Sequence, residues 1–466
     1  MLFESTRGGD KAKKFEEVLL KGLADDGGLY IPTEWPKADI RKLQECNSFI
    51  DIAKLIVPLF TESSYKKEEV ITLLENTWHD FEKSDLVGIK KVNEDIFIGE
   101  LFHGPTAAFK DFGLQLCAAF FNKALEKNNQ TAIILGATSG DTGSAAIDAC
   151  KEFKSIKSFI LIPEGNMSEI QRKQMTTPTD ENVHALAIDG TFDDCQALVK
   201  DMFNDADFRH ETGLAGVNSI NWARVMAQTV YYFTASAQLG GPDKEIAFSV
   251  PTGNFGDIFA GYVAKQMGLP IAQLMIATNI NDILARVLKT GIYEIGDVVT
   301  SSSPSMDIQV SSNFERLLFE ATGRDADEVC RLMGELAEKR KFSLSPNVLE
   351  VMLGSFAAER VDEGETAKII KDMFEADGML LDPHTAVGYG AALRSDVSAS
   401  TPIVTLATAH PAKFPASVEK ACNRSAEEII ATPERVQLMM QQDEAYETYP
   451  NELARVQDFI RQKNSL

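Results

Sequence analysis

The sequence predicts an α/β protein built on open, mostly parallel sheets and preceded by a mainly helical N-terminal domain. From about Val92 onward, short apolar runs are each followed by a turn and then by residues with helical spacing. This alternation is typical of parallel sheets that are covered on both faces. Before Val92, the apolar residues follow helical spacing instead.

The N-terminal domain is predicted to span residues 1–92. Phe15, Val18 and Leu19 recur at helical spacing, and the paired glycines at 27–28 end that stretch. Two further helical stretches follow, at 50–60 and 66–81.

The region after the N-terminal domain contains a series of apolar runs that are typical of strands. These predicted strands lie within residues 94–101, 131–137, 158–165, 182–190, 245–250, 273–279 and 401–410. In open parallel sheets, ligands bind at the carboxyl ends of the strands. We therefore expect the functional residues in the turns that follow these runs.

Composition and charge exclude several classes of protein. The chain has 46 basic and 69 acidic side chains and a formal net charge of −23. Such a surface repels phosphate backbones and anionic lipid, which argues against a nucleic-acid or membrane partner. The six cysteines are scattered, so neither a metal site nor a disulfide framework is expected. With no apolar signal core and no run of about 18 apolar residues, a cytoplasmic location is expected.

The first unusual turn is TGNFGD, residues 252–257, which follows a predicted strand and opens a helix. Gly253 and Gly256 let backbone amides approach a ligand closely, and a helix N-terminus attracts anions. The turn therefore suits a phosphate without needing a basic side chain. A plain strand-to-helix connection is the alternative.

The second unusual turn is ATSGDTGSAA, residues 137–146. Thr138, Ser139 and Thr142 offer hydroxyl groups and amides at another predicted helix N-terminus. Such a turn suits a carboxylate or a second phosphate. The alternative is a turn of small residues that packs closely on the sheet.

The third segment is HGPTAAFKDFG, residues 103–113, where Lys110 opens an otherwise apolar helix. Apolar surroundings lower the pKa of a lysine and free its amine for imine chemistry. The alternative is a snorkelling lysine that pairs with Asp111. An amine, a phosphate cradle and a hydroxyl-rich loop together favour a cofactor that bears an aldehyde and a phosphate, acting on an amino acid.

These segments resemble the threonine synthase family, in its longer bacterial and fungal type. The resemblance rests on HGPTAAFKDFG, SGDTG and PTGNFGD, in this order and spacing, and on STRG, DGGLYIP, NSINWAR and SSNFER. It extends over nearly the whole chain, from Ser5 to about Pro415. It implies a fold-type II pyridoxal-phosphate enzyme with two α/β lobes, and a carbon–oxygen lyase that acts on a phosphate ester.

The resemblance also implies roles for individual cofactor-binding residues. Lys110 would hold pyridoxal 5'-phosphate as a Schiff base and act as the catalytic lysine. Asp141 would face the cofactor's phenolic oxygen, and Thr408 would face its ring nitrogen. The cofactor phosphate would lie in the turn formed by Gly253, Asn254, Phe255, Gly256 and Asp257.

The implied substrate is O-phospho-L-homoserine, which water and the enzyme would convert to L-threonine and phosphate. Thr138 and Ser139 would bind the substrate's α-carboxylate. Its phosphate would be bound by Asn218, Ser219 and Arg224, with Thr142 nearby. Lys413 and Arg316 are further candidates for positive charge near the site.

The implied organisation has three parts and leaves the assembly open between monomer and homodimer. The N-terminal domain would be followed by a catalytic core at 93–420, with a smaller lobe at roughly 105–205, and by a helical tail at 421–466. A phospho-lyase or a serine/threonine deaminase that releases α-ketobutyrate is the alternative within this fold. A nucleotide-binding or inactive regulatory protein is the alternative of another class, but the chain has neither G-x-x-x-x-G-K-[ST] nor a strand followed by G-x-G-x-x-G.

Overall fold

The computed structural model describes residues 1–83, 85–138, 140–165, 167–216 and 219–464. Within these ranges the strands, in chain order, are Phe3–Ser5 (β1), Tyr30–Pro32 (β2), Gly88–Lys91 (β3), Ile96–Glu100 (β4), Ala132–Ala137 (β5), Ile156–Pro163 (β6), Val183–Asp189 (β7), Leu214–Ala215 (β8), Ile246–Pro251 (β9), Ile271–Thr278 (β10), Ile292–Glu294 (β11), Lys341–Ser343 (β12), Phe356–Arg360 (β13), Ile403–Ala407 (β14) and Glu447–Pro450 (β15).

The helices cover both faces of the sheets and form most of the N-terminal domain. In chain order they are Phe15–Lys21 (α1), Phe49–Ile56 (α2), Pro58–Thr61 (α3), Lys67–Asn76 (α4), Lys110–Lys127 (α5), Asp141–Cys150 (α6), Glu169–Thr176 (α7), Phe192–Asn204 (α8), Ala206–Thr212 (α9), Trp222–Gln238 (α10), Gly256–Gln266 (α11), Ile283–Thr290 (α12), Phe314–Ala321 (α13), Ala326–Lys339 (α14), Pro346–Leu353 (α15), Glu363–Asp377 (α16), Pro383–Ala392 (α17), Pro415–Cys422 (α18), Ala426–Ile429 (α19), Glu434–Met440 (α20) and Leu453–Asn464 (α21). Short 3₁₀ helices lie at Ile40–Glu45, Pro304–Met306 and Pro411–Lys413.

Two open sheets organise the catalytic core, as the sequence predicts. The larger sheet has the order β13-β10-β9-β14-β4-β3, and its pairs are parallel except for the antiparallel pair β3–β4. The smaller sheet has the order β15-β7-β6-β5-β8 and is parallel throughout. The fully buried strand β9 explains why this part of the sequence has continuous apolar runs rather than alternating ones.

Helical N-termini meet strand ends between the two sheets. In the smaller sheet, β5 leads into α6, and in the larger sheet β9 leads into α11. Helix α5 begins after β4 and packs against both α6 and α10. The carboxyl ends of strands from both sheets therefore face a common space, which is where ligands bind in such folds.

The predicted helical tail at 421–466 needs a correction, because it contains a strand as well as helices. Strand β15 pairs in parallel with β7 and extends the smaller sheet by one edge strand. Its side chains are mostly exposed, so its sequence lacks the apolar pattern that would reveal a strand. An edge strand is held mainly by backbone hydrogen bonds, and these leave no signature in side-chain hydropathy.

The N-terminal domain likewise contains a small antiparallel sheet, β1–β2, besides its predicted helices. Its core is continuous with that of the catalytic core, since Phe3 packs on Trp222 and Phe15 on Phe120. Within the described residues, no helix is both long enough and apolar enough to cross a membrane.

Candidate active site

A pocket at the meeting point of the two sheets gathers most of the predicted site residues. The residues that line it include the predicted Lys110, Asp141, Thr142, Ser219, Arg224, Gly253, Asn254, Phe255, Gly256, Asp257 and Thr408. The pocket therefore brings together residues more than 290 positions apart in sequence, from the segments that follow β4, β5, β9 and β14 and from the start of α10.

Lys110 is the first residue of α5 and is buried. Its Nζ lies 3.7 Å from Asp141 Oδ2 and 4.8 Å from the centre of the Phe109 ring. Burial lowers the pKa of the Lys110 amine, with Asp141 opposing that shift and Lys413 and Arg224 adding to it. A buried lysine whose amine is shifted toward its uncharged form is a suitable nucleophile for an aldehyde.

Asp111 is not the partner of Lys110, contrary to the alternative raised from the sequence. Its carboxylate accepts hydrogen bonds from the backbone N–H and the hydroxyl group of Thr106, at 2.9 and 2.6 Å. Burial raises the pKa of Asp111 to about 7. Asp111 therefore holds the loop before α5 in place through Thr106. The next residue of that loop, Ala107, has a left-handed backbone with φ of 56°.

The phosphate-cradle turn leads into an uncapped helix N-terminus. Phe255 precedes α11 with a left-handed backbone at φ of 64°, and no side chain caps the helix. The first N–H groups of a helix have no partner within it, so they are available to an anion. A Cβ atom on Gly253 would lie 2.7 Å from the backbone oxygen of Ser305, which explains why glycine is required there.

Asp257 is buried in the first turn of α11. Its Oδ1 accepts hydrogen bonds from the hydroxyl groups of Tyr231 and Tyr232 at 2.5 and 2.9 Å, while Oδ2 has no partner. Burial raises the pKa of Asp257 to about 6, although the two tyrosines oppose that shift. The tyrosines thus hold this carboxyl group in place beside the turn.

Arg224 is the second cation of the pocket. It is 4% exposed, and neither its Nε nor its Nη1 has a hydrogen-bond partner within the part of the chain that the structure describes. Burial lowers the pKa of its guanidinium to about 10. An unpaired buried guanidinium is costly, and an anionic ligand would remove that cost through two parallel hydrogen bonds.

The structure places only some of the predicted substrate residues in the lining of the pocket. Ser139 and Asn218 lie outside the described residues. Thr138 does not line the pocket, and its hydroxyl oxygen accepts hydrogen bonds from the backbone N–H groups of Gly140 and Gly143, at 3.1 and 3.2 Å. Thr138 thus supports the start of α6.

Arg316 also lies away from the pocket. It is fully buried, and its guanidinium donates to the backbone oxygens of Tyr30 and Ile220, at 2.9 and 2.6 Å, and to Asn313. It joins the N-terminal domain to the segment before α10 rather than offering charge to a ligand.

Several residues of the site escaped the sequence analysis or were given little weight in it. Lys413, at the end of a 3₁₀ helix, is completely buried and lies 2.9 Å from Asp141 Oδ1. Gln171 donates to the same oxygen at 2.9 Å, and Gln174 donates to the Thr106 oxygen, also at 2.9 Å. Lys413 follows the same strand as Thr408, which is the one signal that marks it. The two glutamines lie on the polar helix α7, and nothing in the sequence of this helix indicates that it contributes to a site.

His384 is a further unpredicted residue that lines the pocket. Its Nδ1 lies 2.8 Å from Asp382 Oδ1, and its Nε2 accepts the backbone N–H of Ser305 at 3.2 Å. His384 therefore fixes the segment whose carbonyl lies against Gly253.

A larger groove, with a volume of about 680 Å³, lies between α4, α5 and α6. Its lysines are already paired, Lys123 with Glu69 and Lys151 with Asp148. It has no glycine-rich helix start among its lining residues. The smaller pocket around Lys110 is therefore the candidate active site.

Comparison with known families divides the chain into three matched regions. Residues 2–78 match the model for the N terminus of threonine synthase, residues 82–348 match pyridoxal-phosphate-dependent enzymes, and residues 385–460 match the C-terminal part of threonine synthase.

Individual relatives match over almost the whole chain. A threonine synthase from Pseudomonas aeruginosa is 45% identical over 467 residues, which covers 99% of this chain and 98% of the relative. A crystal structure of pyridoxal-phosphate-bound threonine synthase from Brucella melitensis is 46% identical with a TM-score of 0.96, covering 100% of this chain and 99% of the other. The yeast threonine synthase structure is 39% identical with a TM-score of 0.95, at the same coverage.

Proposed function

The chain belongs to the threonine synthase family of pyridoxal-phosphate-dependent lyases, and we propose that it converts O-phospho-L-homoserine and water to L-threonine and phosphate in the pocket around Lys110. The observation that carries the choice of substrate is Arg224. Arg224 lines the same pocket as the uncapped start of α11, and two of its nitrogens have no partner among the described residues. The pocket thus offers one anion site for the cofactor phosphate and another for a phosphorylated substrate.

The residues of the pocket fit pyridoxal phosphate. Among the described residues, Lys110 Nζ has no hydrogen-bond acceptor within 3.5 Å, and the carboxylate of Asp141 lies 3.7 Å away. The turn at Gly253, Asn254, Phe255 and Gly256 would hold the phosphate group with its backbone N–H groups. Thr408 would lie at the ring nitrogen, and Asp141 at the phenolic oxygen.

The cofactor, when bound, supplies an electron sink for the α-carbon of an amino acid. Lys110 would hold its aldehyde carbon, and after substrate displaces this amine, the amine would take and return protons at the substrate carbons. Burial favours the uncharged form of Lys110, which a proton acceptor needs. Once protonated, the same amine would be drawn toward Asp141.

The substrate would be oriented by its two anionic ends. Arg224 would bind the phosphate group, with Ser219 and Thr142 from the same pocket lining and Asn218 from the neighbouring segment. Ser139 would bind the α-carboxylate. Thr138 would support this role indirectly, because its hydroxyl group holds the backbone at the start of α6. Asp257 would support the cradle turn by holding the start of α11 against Tyr231 and Tyr232.

A phosphate leaving group distinguishes this substrate from plain serine or threonine. A serine/threonine deaminase needs a site for the substrate's α-carboxylate but none for a substrate phosphate, so an additional buried cation such as Arg224 favours the phosphorylated substrate. A phospho-lyase that acts on the same substrate would bind it identically but would release α-ketobutyrate.

The test is to incubate the purified enzyme with O-phospho-L-homoserine and to quantify threonine, α-ketobutyrate and phosphate together. We expect threonine and phosphate in equal amounts with little keto acid. Keto acid as the main product would overturn the proposal, and Lys110→Ala serves as the inactive control.

A further inference from the structure

Lys413 is the one fully buried lysine among the described residues of the site, with a side-chain exposure of 0%. It follows β14 of the larger sheet, whereas its partner Asp141 opens α6 beyond β5 of the smaller sheet. Its Nζ lies 2.9 Å from Asp141 Oδ1 and donates to the Thr106 oxygen at 2.7 Å. The ion pair therefore joins the two lobes at the pocket.

The two oxygens of Asp141 are used differently. Oδ1 receives both Lys413 and the Gln171 side-chain amide, each at 2.9 Å. Oδ2 faces Lys110, at 3.7 Å, which is beyond hydrogen-bond distance. The carboxylate thus makes its shortest contacts with Lys413 and Gln171, and none of the described residues offers Lys110 an acceptor within hydrogen-bond distance.

We propose that Lys413 is a positioning residue that engages the Asp141 carboxylate and thereby keeps the Lys110 amine free to react. Without Lys413, Asp141 would have Lys110 as its nearest cation, and a close pair would hold Lys110 as an ammonium ion. The inference rests on the proposed role of Lys110 and extends it to a residue that never needs to touch the substrate.

The charges around Lys110 agree with this arrangement. Asp141 on α6 opposes the loss of a proton from Lys110, whereas Lys413 and Arg224 favour it. Asp257 on α11 also interacts with Lys110, and His384 on α17 lines the same pocket. Burial alone would raise the pKa of Asp141, but the positive charges of Lys413 and Lys110 and the hydrogen bond from Gln171 hold it well below its ordinary value.

The pairing also explains how a carboxylate can stand in the position assigned to Asp141. A carboxylate that faces an anionic oxygen of a ligand would repel it in a buried site. The Asp141–Lys413 pair has no net charge, so the repulsion is offset while the carboxylate stays ionised.

The test measures the reactivity of Lys110 directly, in the full-length chain freed of cofactor. The protein is labelled with trace acetic anhydride at a series of pH values, and the Lys110 peptide is quantified by mass spectrometry. We expect Lys413→Met to slow the labelling of Lys110 at pH 7 by about tenfold or more, because Asp141 loses its closer cation and Lys110 loses a like charge that favours its uncharged form. The profile should move to higher pH.

Asp141→Asn tests the same arrangement, and its effect on the labelling rate of Lys110 should be opposite to that of Lys413→Met. We expect faster labelling of Lys110 at pH 7, because its nearest anion is removed. The double variant Asp141→Asn with Lys413→Met should label at least as fast as the unaltered chain, since carboxylate and cation disappear together.

Lys157→Met is the matched control, because Lys157 also donates to backbone oxygens, those of Lys463 and Asn464. It lies at the amino end of β6, a central strand of the smaller sheet, whereas the pocket lies at the carboxyl ends of the strands. It should leave the Lys110 profile unchanged.

Unchanged labelling in a folded Lys413→Met variant would overturn the proposal. Should that variant not fold, unchanged or slower labelling in Asp141→Asn would overturn it. These outcomes are independent of the threonine assay. Keto acid from the unaltered enzyme would refute the proposed function and leave the labelling result standing.

Discussion

At the scale of the residue, Arg224 shows how a side chain can serve binding at the expense of stability. Its guanidinium is buried with two nitrogens unpaired, and a native fold rarely keeps such a group without a use for it. Since none of the described residues accepts a hydrogen bond from those nitrogens, replacing the side chain should leave no orphaned acceptor among them.

We therefore expect Arg224→Met to raise the KM for O-phospho-L-homoserine by about tenfold to a hundredfold, the loss of one or two charge-assisted hydrogen bonds. The ligand-free variant should melt at the same temperature or higher, because an uncompensated buried charge is removed. Steady-state kinetics and thermal unfolding of the cofactor-free protein measure the two effects. A lower melting temperature together with an unchanged KM would show that Arg224 is structural. Affinity for L-threonine, which has no phosphate, is the control.

Glu100 gives a prediction about pH. It is buried, accepts from His103 at 2.8 Å, and lies 2.5 and 3.3 Å from Lys90 and Lys83. Burial alone would raise its pKa, but these contacts with His103 and the lysines lower it to about 2. A carboxyl group whose folded-state pKa lies below its ordinary value stabilises the fold above that ordinary value, near 4.5, and the contribution is lost as the pH falls toward 2.

Glu100→Gln should therefore lower the free energy of unfolding at pH 7 by on the order of 2 kcal/mol. The difference from the unaltered protein should shrink as the pH falls from 4.5 toward 2. Thermal melts across this pH range measure it. Glu62→Gln, at an exposed pair with the N-terminus, should show almost no difference, and a Glu100 effect that is independent of pH would contradict the account.

Single residues also show which parts of the site can be predicted from the sequence and which cannot. Lys110 and Arg224 could be predicted because each lies in a motif with its own chemistry. The contact between Lys413 and Asp141 could not, because it joins residues from the two lobes, 2.9 Å apart in space but separated by most of the catalytic core. No local pattern records which cation reaches a given carboxylate.

At the scale of the element, the turn into α11 sets the geometry of the cradle. Gly253 lies against the backbone of the Ser305 segment, and backbone cannot rotate away as a side chain can. His384 holds that same segment by accepting the Ser305 N–H.

Gly253→Ala should therefore weaken pyridoxal-phosphate binding by at least tenfold, because either the turn or the Ser305 segment must shift by some tenths of an ångström or more. Titration of the cofactor-free protein, followed by absorbance, measures the affinity. Gly334→Ala is the matched control, since a Cβ there meets nothing within 4 Å in α14. It should leave affinity unchanged and add up to about 1 kcal/mol of stability. Equal effects of the two substitutions would refute the argument.

The sequence also predicts some helices and strands better than others. Strand β9 and helix α11 were predicted because the apolar run and the glycine-rich turn occur together. Strand β15 was missed because its side chains are mostly exposed, and backbone pairing with β7 alone makes it a strand.

At the scale of the whole molecule, the N-terminal domain is fastened to the catalytic core close to the pocket. Arg316 donates to Tyr30 of the N-terminal domain and to Ile220, two residues before α10. Beside it, Glu315 accepts from Arg7 at 2.8 Å and from Thr6 at 2.6 Å. The motifs STRG and SSNFER were identified in the sequence by resemblance alone. The contacts of Glu315 with Thr6 and Arg7 join these two motifs.

Arg316→Met should lower the melting temperature by several degrees, because it leaves buried carbonyl oxygens without donors. Thermal unfolding monitored by circular dichroism measures the change. Arg331→Met, which removes an exposed arginine paired with Glu328, should cost less than about 1 kcal/mol. Similar losses of stability in both variants would show that the buried hydrogen bonds of Arg316 contribute no more than an exposed ion pair does.

The central claim, that Lys110 is the residue that holds the cofactor, is tested most directly by mass spectrometry of the holoenzyme after borohydride reduction. Reduction makes the bond between the lysine and the cofactor permanent, so digestion reveals which peptide carries the added mass. The account predicts the reduced cofactor on the peptide that contains Lys110 and on no other. The same mass on Lys413 or any other lysine, or its absence from every peptide, would contradict it.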